Sequence, residues 1–111
     1  MKIKFKIILV MFVTLFLSSC DNPLPPSKLD YQGRWESENM LLNITQQGQV
    51  YYERQEGIVN TSVEAPIKEF TSTGFSVGIG FFSTDFVVDQ KPMEVDGQWQ
   101  MIVDGVLLIR R

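Results

Sequence analysis

Histidine is absent from the 111 residues, and cysteine occurs once, at Cys20. Without histidine there is no Ser-His-Asp or Cys-His catalysis and no histidine-ligated zinc or haem; with one thiol there is no intramolecular disulfide. Positive charge is scarce as well. Ten lysines and arginines stand against thirteen aspartates and glutamates, and three of the ten (Lys2, Lys4, Lys6) fall in the first six residues. Beyond Cys20 seven basic residues face thirteen acidic ones, a formal charge of −6. That balance argues against nucleic acid as a partner, because phosphate backbones are held by a lysine and arginine surplus. Long apolar runs reduce to one, Ile7 to Leu17, broken only by Thr14. As a helix its eleven residues would span about 16 Å, roughly half a hydrocarbon core, so a permanent transmembrane helix is not expected.

What is present begins with that run. A basic start followed by an apolar stretch is the pattern of an export signal covering residues 1–19. It closes on Leu17-Ser18-Ser19-Cys20, which resembles the lipobox of bacterial lipoproteins. The resemblance covers the first twenty residues only. It implies cleavage before Cys20, a thioether-linked diacylglycerol on that cysteine, and an acyl chain such as palmitate on its new amino group. Asp21 and Asn22 resemble the signal that retains lipoproteins of enteric bacteria on the periplasmic face of the inner membrane, with the outer membrane as the alternative. Two or three acyl chains, at about 0.8 kcal/mol per buried methylene, anchor stably where one does not.

Residues 20–30 read as a tether. Pro23, Pro25 and Pro26 fall within nine residues, and proline pushes itself and its predecessor toward extended conformations. In polyproline geometry the segment would hold a domain about 25 to 30 Å from the membrane. Residues 31–111 then form one domain whose hydrophobic period is two, with turn residues every six to twelve positions. Met40 to Thr45 and Gln49 to Arg54 make a first hairpin. Ile58 to Val63 and Ile67 to Thr71 are expected to be separate segments bent apart at Ala65-Pro66, since proline has no amide to donate. Phe75 to Phe81 and Phe82 to Val88 carry opposite parities, so the chain bulges or turns near Gly78-Ile79-Gly80.

Asp96-Gly97 and Asp104-Gly105 are type I′ turn dipeptides between apolar runs. They predict a three-stranded meander of Met93 to Val95, Gln98 to Val103 and Val106 to Arg110. Two-residue loops fix its register: Glu94 faces Trp99, Met101 faces Leu108 and Trp99 faces Arg110. The expected fold is all-β, a small antiparallel barrel or two-layer sandwich of about seven short strands.

Candidate chemistry is thin. Gly78-Ile79-Gly80 lacks the third glycine and the strand-to-helix setting of a nucleotide loop. Asp96 and Asp104 serve turns, Asp85 and Asp89 have no oxygen-rich loop around them, and Glu36, Glu38, Glu64 and Glu69 read as solvated. No catalytic residue, metal or cofactor is assigned. The segment Tyr31-Gln32-Gly33-Arg34-Trp35 resembles the entry strand of lipocalin-like barrels, which implies a tryptophan that plugs one end and a cup for a small apolar ligand. Glu94, Trp99 and Arg110 form the one constellation favoured at interfaces, and with Tyr51 they are the candidate interaction surface. The reading that results is a membrane-anchored, non-enzymatic module that binds a protein or another envelope component. The alternative is a miniature lipocalin-like carrier.

Overall fold

Short strands leave unpaired edge groups, and closing the sheet on itself leaves no strand paired on one side alone along its whole length. The computed structural model describes residues 23–111 and takes that route. Eight antiparallel strands follow one another round a closed barrel: β1 (Gly33–Glu36), β2 (Met40–Ile44), β3 (Gln49–Glu56), β4 (Val59–Phe70), β5 (Gly74–Ile79), β6 (Phe82–Val95), β7 (Gln98–Val103) and β8 (Val106–Arg110). Each pairs with the next, and β8 returns to β1 with Trp35 opposite Arg110 and Glu36 opposite Ile109. The fold is therefore the barrel form of the expected architecture.

Eight strands stand where about seven were expected, and the strand boundaries differ at two prolines, which do not end their strands. Pro66 is the last residue of β4 registered on β3, and from Ile67 onward the same strand pairs with β5. Pro92 sits in β6, inside the register slip between Gln90 and Met93. A residue with no amide to donate is tolerated where a ladder changes partner or slips. The meander forms as predicted, with Glu94 opposite Trp99 and Met101 opposite Leu108. Its turns carry the positive φ of the type I′ form, 53° at Asp96 and 80° at Gly97, 49° at Asp104 and 78° at Gly105. Asp104 also accepts a hydrogen bond from the Val87 amide at 2.9 Å, and Asp89 accepts one from the Gly105 amide at 2.8 Å.

The tether reading is corrected. Leu24 is buried and its amide donates to the Gln46 carbonyl at 3.0 Å, while Pro26–Tyr31 form a 3-10 helix against the barrel. Proline pre-sets φ at the start of a helix, where its missing amide costs nothing, and Leu24 and Tyr31 gain burial by folding back. The candidate residues Cys20, Asp21 and Asn22, like residues 1–19, lie outside the described residues. From Cys20 to the docked Leu24 the chain can stretch about 14 Å at most.

Inside, alternate residues meet in one core. Trp35, Leu42, Ile44, Val50, Val77, Met101, Val103 and Leu108 are essentially inaccessible. An aromatic chain crosses the core from the helix to β3, with ring centroids 5.3 Å apart for Tyr31 and Phe70, 5.8 Å for Phe70 and Phe75, 5.2 Å for Phe75 and Phe86, and 4.9 Å for Phe86 and Tyr52. Such pairs add about 0.5 to 1.5 kcal/mol each beyond the area they bury.

Candidate functional site

The 3-10 helix fixes which end of the barrel is closed. Trp35 Nε1 donates to the Tyr31 carbonyl at 2.9 Å, and Tyr31 packs edge-on against Phe70 at the end of β4. Burial raises the pKa of the Tyr31 hydroxyl. Arg110 crosses the same end. Its guanidinium carbon lies 4.7 Å from the centroid of Trp99 and 5.7 Å from that of Trp35, and its Nη1 reaches the Gln32 carbonyl at 3.4 Å. Gly33, at φ 139°, makes room for this crossing, since a Cβ there would stand 2.5 Å from Arg110 Cδ.

Trp99 and Arg110 thus come together as expected, but they close the barrel end, with Trp99 half-buried against the core. Glu94 is exposed beside them. Tyr51 is not part of this group. It points outward from β3, between the inward Val50 and Tyr52, and its hydroxyl donates to Glu53 at 2.8 Å. That bond to a carboxylate, and the negative charge of Glu53, raise the pKa of Tyr51. The four residues do not make a single surface.

A different surface stands at the opposite end. Strand alternation puts the β1–β2, β3–β4, β5–β6 and β7–β8 turns there, and the Gln55 amide donating to the Asn39 carbonyl at 2.9 Å joins two of them. The β5–β6 hairpin extends past both of its neighbours. β4 pairs with β5 only up to Val77, and β7 pairs with β6 only from Val88, so Gly78 to Ser83 project as a short two-stranded ribbon. At its tip Ile79 is 68% and Phe82 58% exposed, and Phe81 is fully exposed. Ile58 and Val59 stand exposed on the β3–β4 turn.

The ribbon is held. Gly78 lies where a Cβ would be 2.0 Å from the Phe82 carbonyl oxygen, and the Lys68 ammonium donates to the Gly80 carbonyl at 3.0 Å. No charged residue occurs from Phe75 to Thr84. Sequence reasoning located the turn but passed over its chemistry. The signal was aromatic residues in a turn, a position that polar residues normally occupy.

Glu36, Glu53 and Glu56 near this end have local partners. Glu36 pairs with Arg34 and lies 3.8 Å from Arg111, and with Glu38 and Glu53 it lines an open cleft of about 290 Å³. Among the described residues no group of three or more His, Cys, Asp or Glu converges as metal ligands would. No protein-family model, curated protein or solved structure matches the chain. Fold and surface define its class: a small, closed, up-and-down antiparallel β-barrel, plugged at one end by a 3-10 helix and carrying exposed apolar hairpin tips at the other.

Proposed function

We propose that the chain is a lipid-anchored, non-enzymatic binding module of the cell envelope, held by Cys20 at the periplasmic face of the inner membrane, and that it meets a protein partner with its β5–β6 tip. One observation carries the reading: three large apolar side chains, Ile79, Phe81 and Phe82, are presented on a braced, uncharged ribbon. Exposed apolar clusters mark interaction sites, and aromatic anchors dominate their energetics. A formal charge of −6 beyond Cys20 disfavours an anionic bilayer surface as the occupant and favours protein.

The carrier alternative asks for an interior of a few hundred Å³. The packed core of Trp35, Leu42, Ile44, Val77, Met101 and Leu108 speaks against such a cup.

A photoreactive phenylalanine analogue at position 81 of the full chain, irradiated in the native envelope, tests the proposal. The expected result is a protein adduct of discrete mass from position 81 and none from the same analogue at Tyr51. Lipid adducts alone, or equal yields at both positions, would overturn it.

A further inference from the structure

The hand-over of β4 leaves an edge. From Val59 to Ala65 one side of the strand is bonded to β3, and among the described residues no strand pairs with the other. The Ile67 amide donates to the Gly48 carbonyl at 2.8 Å, which sets the alternation of the ladder. Val59, Thr61, Val63 and Ala65 turn their backbone groups to β3, and those of Asn60, Ser62 and Glu64 turn outward. Natural edges are guarded by charge, proline or a bulge. Val59 to Val63 has none of these, its side chains are exposed except for half-buried Val63, and its valines and threonine favour strands.

The segment Val59-Asn60-Thr61-Ser62-Val63 is also nearly symmetric about its centre. We propose that this edge pairs with the same edge of a second copy, antiparallel, about a twofold axis at Thr61. That register sets Asn60 opposite Ser62 of the second copy, so both exchange N–H···O bonds at each end of the axis. It sets Val59 against Val63 of the second copy and Thr61 against its own equivalent, an isologous contact. Glu64 meets Ile58 of the second copy, so no carboxylate is set directly opposite another. Self-complementarity favours a second copy over an unrelated extended peptide. The contact is small against the roughly 1,000 Å² of a stable interface; confinement to one membrane would raise its occupancy. The pairing does not depend on the β5–β6 tip.

Thr61→Cys tests it in the full chain, in its native membrane, under mild oxidation. Equivalent residues at the centre of an antiparallel pair lie within disulfide reach. A disulfide-linked dimer is expected from Thr61→Cys, with little from Tyr51→Cys and none from the parent chain. Adding Ser62→Pro removes an outward amide that β3 does not use, and the dimer band is lost; Ser62→Lys, which keeps the amide and adds a guard charge, weakens it. No dimer from Thr61→Cys, equal yields at positions 61 and 51, or a disulfide to a different protein each overturns the proposal.

Discussion

Trp35→Ala removes a large share of the stability of the barrel. The side chain is completely buried, its indole nitrogen holds the Tyr31 carbonyl at 2.9 Å, and Arg110 lies over its ring at 5.7 Å. Truncating a buried tryptophan costs about 3 to 5 kcal/mol through lost burial and the cavity left behind. A domain of this size has about 4 to 13 kcal/mol in total. The alanine variant also releases the 3-10 helix from the barrel end, because the carbonyl that anchors it loses its donor. Trp35→Phe keeps a ring but not the hydrogen bond, and should cost about 1 to 3 kcal/mol. Denaturant unfolding of the two variants measures both terms. A loss below about 1 kcal/mol for Trp35→Ala would contradict the role of Trp35 as the plug.

Gly74→Ala carries the second large effect, by the opposite route of adding one atom. Gly74 pairs with Val87, and a Cβ there would lie 1.8 Å from the Phe86 carbonyl oxygen. The obstacle is backbone, so no rotamer change relieves it. Either β5 and β6 separate or the Phe75 to Phe86 stacking at 5.2 Å is lost. Overpacking of this kind costs about 1 to 3 kcal/mol and sometimes more, and the upper end is expected here. Gly97→Ala is the control. Nothing lies within 4 Å of a Cβ there, and only its φ of 80° opposes a side chain, at about 1 to 2 kcal/mol. Unfolding midpoints ordered Gly74→Ala well below Gly97→Ala are predicted; the reverse order would contradict close strand approach as the reason for glycine at 74.

The parts of this fold that were legible in the sequence are those fixed by neighbours along the chain. Asp96-Gly97 and Asp104-Gly105 dictate turn type, turn type dictates register, and register brought Trp99 and Arg110 together without any knowledge of the barrel. The illegible parts depend on distant elements. Pro66 looked like a strand break because nothing local shows that β4 changes partner there. Residues 24–30 looked like a spacer because the groups that receive Leu24 and Tyr31, the Gln46 carbonyl in the β2–β3 turn and the rings of Phe70 and Phe75, lie far along the chain. The same limit applies to the site. Trp99 is a hot-spot residue type, yet the closure of the barrel turns it against the core, while Phe81, which resembles core in composition, is left in solvent.

The corrected N-terminal segment alters the geometry of the proposed anchor. With Leu24 docked, an acylated Cys20 would keep the barrel within about 14 Å of the bilayer. The intact mass of the membrane-extracted protein tests this central claim most directly. The account predicts a chain that begins at Cys20 and carries a diacylglycerol and a further acyl group. A mature chain that begins elsewhere, or one that begins at Cys20 with a free thiol, would contradict it.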